Sequence, residues 1–373
     1  MQRWAIALLV LPFCAYPQAK SIANYNISAR LNPADKSVTG HQTLLWNNDS
    51  QDTISELQFH LYMNAFQNSK STFMRESGGQ LRGDRGQKDS WGYIDIRKMQ
   101  IAGGGDLTGS IQFIAPDDGN GDDRTVIRVP LPKPLKPGSQ IELEIDFYTK
   151  FPHVFARTGY HGDFFLGGQW FPKIGVWEKA GIRYAKAAGW NCHQFHANTE
   201  FYADYGAYTV DLTVPSSFVV GATGVQKKAT QNSDGTTTYA FEQENVHDFA
   251  WTAQPTFRRF ARTFDAEREV TATELTEITR LLGITHAEAR LGNVEMILLL
   301  QPEHATQVDR HFRAVANAIK WFGLWYGSYP HATITVVDPP FGGGGAGGME
   351  YPTFITGGTS WLTGPNDGDR KAL

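Results

Sequence analysis

The chain has 373 residues, of which 41% are hydrophobic, 13% aromatic and 19% charged. That is too apolar for a disordered chain, and 38 Gly and 18 Pro without a triplet period exclude a collagen. With 34 Lys+Arg against 38 Asp+Glu the net charge is −4, so no basic field is available for nucleic acid. Length alone predicts two or three domains.

The N-terminus reads as a targeting segment. Arg3 is followed by the apolar run Trp4 to Phe13, which is long enough for a signal peptide and too short to span a bilayer. Residues 1–21 are therefore expected to be a signal peptide and the protein to be exported, periplasmic or extracellular. Only Cys14 and Cys192 occur. Once the leader is removed no intrachain disulfide is possible, and a thiolate zinc site is excluded.

Residues 22–261 are predicted to form an N-terminal β domain, a sandwich or a set of curved sheets. Alternation marks strands at Tyr25–Leu31, Thr39–Trp46, Leu57–Leu61, Thr125–Val129 and Ile141–Tyr148. Further strands follow at Tyr208–Val214, Phe218–Thr223 and Thr236–Glu242, the last entered through the turn Asn232-Ser233-Asp234-Gly235. Helical periodicity is almost absent up to this point. It begins at residue 262, where a mixed α+β unit is predicted to run to 373. Helices are expected at Thr271–Leu282 and Ala305–Tyr326, the second carrying Val308, Phe312, Val315, Ile319 and Phe322 on one face. Strands are expected at Val294–Leu300, Thr333–Val337 and Tyr351–Thr356.

Several constellations invite a chemical reading. The run Phe341 to Gly348 contains G-x-G-x-x-G after a strand, but the following Met349 to Phe354 reads extended and no Lys-Ser/Thr follows, so neither a dinucleotide fingerprint nor a P-loop is supported. Small residues there would instead allow close backbone approach beside a cleft. His193 and His196 are three apart with Glu200 beyond, yet Gln194 stands where a zinc hydrolase needs its Glu, and ordinary hydrogen-bonded histidines are expected. No Gly-x-Ser-x-Gly elbow is present. Cys192 beside His193 does not make a nucleophile pair, because neighbours on a strand point to opposite faces.

The segment Gly347-Gly348-Met349-Glu350-Tyr351-Pro352, after the strand TITVV, resembles the Gly-x-Met-Glu-Asn motif of aminopeptidase-N-like zinc metallopeptidases, the gluzincins. The stretches 167–178, 203–224 and 246–257 resemble the N-terminal β domain of that family. The resemblance implies a β domain followed by the start of a thermolysin-like catalytic domain, with a peptide as substrate; the charge balance and the lack of a long apolar run predict no nucleic acid partner and no membrane span. It implies that Gly347, Gly348, Met349, Glu350 and Tyr351 form a substrate-binding wall on which Glu350 holds the free α-amine, and that Gln169 is a second amine ligand. Tyr351 departs from the motif's Asn.

No His-Glu-x-x-His occurs in these 373 residues. In the family the zinc motif, the helix Glu ligand and a later Tyr lie past the motif. The expectation is therefore a fragment that lacks the zinc site, holds no zinc of its own and does not hydrolyse peptides alone, with zinc the cofactor of a full-length family member. A second reading, a non-catalytic peptide- or carbohydrate-binding β protein, stays open at this point.

Overall fold

The computed structural model describes residues 21–81, 84–87 and 89–359. Nearly all of the segment read as a signal peptide, and the last fourteen residues, lie outside them.

The β region is built on a seven-stranded sheet. Its order is Val225–Gln231, Thr236–Val246, Gly206–Pro215, Ala23–Asn32, Ser37–Asn47, Gln140–Lys150, Tyr93–Ile101. Every neighbour is antiparallel except Ala23–Asn32 beside Gly206–Pro215, which run parallel with Tyr25 opposite Tyr208. The predicted alternation is the cause of this layer. Along Ala23–Asn32 every second side chain is buried, so one face meets the core and the other meets water. The hairpin at 232–235 closes as expected, Asn232 N–H donating to Thr236 O at 2.8 Å.

Two four-stranded sheets pack beside it. One runs Lys173–Ile174, Ile54–His60, Val126–Leu135, Gln112–Ile114, and the other Gly159–His161, Phe164–Gly167, Trp251–Gln254, Val219–Ala222. An aromatic core joins the layers. Trp46, Trp170, Trp251, Phe147 and Phe165 are all at most 1% exposed.

Some elements escaped the sequence pattern for identifiable reasons. Tyr93–Ile101 carries a bulge between Ile96 and Lys98, which breaks the period of two. Phe164–Gly167 is buried at every position, so it has no alternation to read. Val225–Gln231 is an edge strand exposed at almost every position. A short helix, Thr72–Ser77, is capped by Ser71 and ended by Gly78 in the left-handed region.

The mixed unit is a five-stranded sheet in the order Arg258–Phe264, Val294–Leu300, Thr333–Val337, Phe354–Thr356, Met349–Tyr351. Arg258–Phe264 runs across residue 261 and pairs antiparallel with Val294–Leu300. Val294–Leu300 and Thr333–Val337 are parallel and joined by the helix Val308–Tyr326, a βαβ crossover. The helix Ala272–Leu282 starts on a capping box, Thr271 with Glu274, and stops at Gly283 with φ +67°.

Three expectations need correction. The helix predicted from Ala305 begins at Val308, because Pro302–Gln307 forms a 3-10 turn first. Phe312 and Ile319 are buried as the periodicity required, but Phe322 is 57% exposed. The single strand expected over Tyr351–Thr356 is two strands, Met349–Tyr351 and Phe354–Thr356, joined through Pro352-Thr353. Proline presets the first turn position and Thr353 takes φ +58° at the second, a place usually given to Gly. The strain is offset because Thr353 Oγ1 accepts the Gly224 N–H at 2.6 Å and Thr353 O accepts the Thr335 N–H at 2.8 Å.

The sheets share a third core. Val154, Phe164, Leu166 and Ala250 from the β region meet Leu299, Val337, Tyr351 and Phe354 from the mixed sheet. Gly221 permits this contact, since a Cβ there would lie 2.4 Å from Leu299 Cδ1.

Candidate functional site

After Thr333–Val337 the chain enters the glycine-rich loop and returns as the hairpin. Gly342, at φ +84°, lies against the His161 ring, and Gly345 O accepts the Arg157 N–H at 2.8 Å. The loop therefore lies on the β region, as its small residues suggested, before Gly347 and Gly348 lead into Met349–Tyr351. That strand is the outer edge of the five-stranded sheet.

Alternation along the edge strand separates its side chains. Tyr351 is 2% exposed and points into the shared core, where its Oη donates to Arg157 O at 3.3 Å. Gly168 is required beneath it: a Cβ there would stand 2.2 Å from Tyr351 Oη and 2.7 Å from Arg157 O. Glu350 is exposed. It lines a cavity of about 690 Å³ together with Gly348 and Met349. The facing wall is the long helix, through Arg310, His311, Phe322 and Tyr326. A mostly apolar cleft with a few polar groups is the usual form of a ligand site. Burial pulls His311 below the ordinary histidine range, and its Nε2 lies 2.7 Å from Thr359 Oγ1.

Asp338, which sequence reasoning did not single out, organises the base of this region. It is fully buried at the end of Thr333–Val337 and accepts the backbone N–H groups of Gln301 at 3.1 Å and Thr359 at 2.9 Å. His304 Nδ1 approaches it at 2.6 Å. The available signal was an acidic residue directly after a buried strand and before Pro339-Pro340.

Gln169 lies elsewhere. It is 4% exposed, with φ +57°. Its Nε2 donates to Asp248 Oδ2 and its Oε1 accepts from Lys173 Nζ at 2.8 Å. Lys173 and Asp248 form a salt bridge of 2.6 Å with both side chains 1% exposed. Burial draws the Lys173 ammonium below the usual lysine range, against the pull of Asp248. Gln169 completes a sealed ion-pair network and does not line the Glu350 cavity. Its neighbour Gly168 touches Tyr351 on the opposite side of the edge strand.

His193 and His196 are held by carboxylates. Asp117 faces His193 Nδ1 at 2.6 Å and His196 Nε2 at 3.0 Å, and accepts the Gln194 N–H at 2.6 Å. Glu76 takes the other nitrogen of His196 at 2.7 Å. Burial works against ionisation of Asp117, but the His193, His196 and Gln194 hydrogen bonds outweigh it and hold the carboxyl below its usual range. Glu200 pairs with Arg157 at 2.6 Å. Cys192 is buried and its thiol is pushed well up by that burial, which makes it inert as a nucleophile.

Among the described residues no group of three or more His, Cys, Asp or Glu side chains could hold a metal ion. The histidines that sequence suggested are already engaged by Asp117 and Glu76. The described residues therefore do not fit a zinc ion.

No protein family's sequence profile matches this chain, and no curated protein matches it. Solved structures do. An M1 zinc metallopeptidase from Deinococcus radiodurans aligns at 15% identity with a TM-score of 0.49, over 86% of this chain and 56% of that one. A mutant of that enzyme bound to a Tyr-Ser-Ala substrate aligns at 14% identity and 0.47 over the same shares. A two-domain M1 zinc metallopeptidase mutant bound to L-arginine aligns at 15% and 0.45, again over 86% and 56%. The present chain thus spans little more than half the length of these structures.

Proposed function

We propose that this chain supplies the β domain and the amine-binding wall of an exported, zinc-dependent, aminopeptidase-like metallopeptidase acting near a free peptide N-terminus. The observation that supports the reading is Glu350: an exposed carboxylate on an edge strand, lining a mostly apolar cavity. An edge strand offers backbone groups to which an extended peptide can add. A carboxylate beside it attracts the terminal ammonium and sets which peptide bond comes first. A hydrogen bond to a charged group of this kind contributes about 1.5–3 kcal/mol. In this reading Tyr351, which stands where the motif has Asn, leaves the amine subsite open because its ring is turned into the shared core.

No step of the hydrolysis is assigned to the described residues, which hold, orient and shield the peptide; a zinc ion, where such a peptidase binds one, would supply an activated water. No helix among them is long and apolar enough to cross a membrane.

The test is binding. The chain is titrated with Ala-Ala-Ala and with N-acetyl-Ala-Ala-Ala, as wild type and as Glu350→Ala. The free peptide should bind more tightly to the wild type, and the substitution should weaken it about 10–100-fold while leaving the acetylated peptide almost unchanged. Equal losses on both peptides would give Glu350 a structural role and remove the aminopeptidase reading.

A further inference from the structure

Arg157 meets the Glu350 hairpin twice through its backbone. Its N–H donates to Gly345 O at 2.8 Å, in the glycine-rich loop, and its O accepts from Tyr351 Oη at 3.3 Å, on the edge strand. The backbone that makes these contacts is strained. Phe155 and Thr158 exchange both of their backbone hydrogen bonds, at 3.0 and 3.3 Å, so Ala156 and Arg157 form the centre of a two-residue turn. Both have positive φ, +48° and +70°. Turns of this kind are normally built from Asn-Gly or Gly-Gly, because a Cβ is crowded in the left-handed region. Two successive residues with side chains persist there only where their surroundings over-determine them.

Packing fixes the base of the turn. Phe155 meets Phe66 and Phe73 edge-on, and Thr158 Oγ1 donates to Leu166 O at 3.2 Å. Charge ties the tip outward. Arg157 Nη1 donates to Glu200 Oε2 at 2.6 Å, with the arginine side chain 12% exposed. A guanidinium so nearly enclosed is poorly solvated without its partner. Glu200 precedes Phe201, whose ring packs on Tyr62, so the tie runs back into the β region. Glycine at 157 would relieve the strain and keep the turn, but it would give up Glu200. The arginine is therefore explained by the contact and not by the turn.

We infer that Arg157 is a positioning residue for Glu350. It does not line the cavity that Glu350 lines, so it acts through Gly345 and Tyr351. Alternation places Glu350 and Tyr351 on opposite faces of one strand, so whatever fixes the Tyr351 ring also fixes the direction of the Glu350 carboxylate. The consequence for peptide recognition rests on the amine-binding role proposed for Glu350; the consequence for the mobility of the hairpin does not.

The experiment follows backbone amide exchange in Arg157→Gly, Arg157→Lys and Glu200→Gln, beside binding of Ala-Ala-Ala and N-acetyl-Ala-Ala-Ala. Arg157→Gly should fold, because glycine suits the left-handed turn and keeps both backbone contacts. Exchange over residues 345–351 should nevertheless quicken about tenfold, while the seven-stranded sheet keeps its wild-type rates. The preference for the free over the acetylated peptide should shrink by a similar factor. Glu200→Gln should act in the same direction and more weakly. Arg157→Lys should restore most of both readouts, since the contact runs through one guanidinium nitrogen that an ammonium can replace. Unchanged hairpin exchange in Arg157→Gly overturns the inference. So does quickening spread evenly over the seven-stranded sheet, which would make Arg157 a general stabiliser, or an unchanged peptide preference on a loosened hairpin. A wild type with no preference for the free peptide removes the role proposed for Glu350 instead, and hairpin exchange alone then decides whether Arg157 holds the hairpin.

Discussion

Gln169→Leu separates two roles for one residue. As a substrate ligand, Gln169 would be dispensable for folding. In the structure it bonds both members of a buried ion pair, Lys173 Nζ at 2.8 Å and Asp248 Oδ2. Each hydrogen bond to a charged group contributes about 1.5–3 kcal/mol. The Lys173–Asp248 contact at 2.6 Å survives the substitution, so the two losses are not fully additive and the low end of their sum, about 3 kcal/mol, is the appropriate figure. Gln169 also sits at φ +57°, a strain that glutamine and leucine share through their Cβ, so the substitution leaves it unchanged. The expected destabilisation is therefore about 3 kcal/mol. The assay is urea unfolding followed by the fluorescence of the buried Trp170 and Trp251, reading the midpoint at unchanged slope. Gln169→Gly, which loses the same bonds but relieves the left-handed strain that the native residue carries, should fall slightly less. A change within about 0.5 kcal/mol, the range of an ordinary surface substitution, would refute the sealed-network argument. Lost peptide binding at unchanged stability would instead make Gln169 the ligand that the sequence suggested.

Other consequences follow from named contacts. Asp204 is raised to about 7, first by burial and then by Asp49. Folding thus favours its protonated form, and the stability it contributes is present below about pH 4 and lost as pH rises through about 7. Asp204→Asn cannot ionise, so its stability should match wild type near pH 4 and exceed it by about 2–4 kcal/mol at pH 8; parallel pH profiles would contradict this. His196 moves the same way in sign: burial opposes its charge, but Glu76 and Asp117 raise it above the ordinary value, so the stability from this cluster should be full in mild acid and fall as pH rises past the raised value. His196→Gln should flatten that part of the profile. Gly168→Ala should loosen the junction of the two sheets, because the backbone oxygen of Arg157, 2.7 Å from the new Cβ, cannot step aside cheaply; exchange of the backbone amides in Met349–Tyr351 should accelerate while the seven-stranded sheet stays protected.

What the sequence determined by itself was whatever repeats locally. Alternation located five of the seven strands of the large sheet, because one face of each is buried and the other wet. Helical periodicity over Thr271–Leu282 and the stepped apolar residues from Val308 marked the helices for the same kind of reason. The likeness of Gly347 to Pro352 to a known motif was also legible, since it lies in consecutive residues.

Tertiary structure decided what depends on partners far along the chain. The parallel pairing of Ala23–Asn32 with Gly206–Pro215 joins strands almost two hundred residues apart and leaves no mark on either. The turn at Thr353 is paid for by Gly224, so nothing adjacent announces that Tyr351–Thr356 must fold back. The face that each hairpin residue shows is likewise set by distant neighbours: Tyr351 goes inward because Gly168 leaves room for it, and Glu350 is thereby turned outward to the cavity. Gln169 came forward as an amine ligand through the resemblance alone, and only the fold shows it bonded between Lys173 and Asp248.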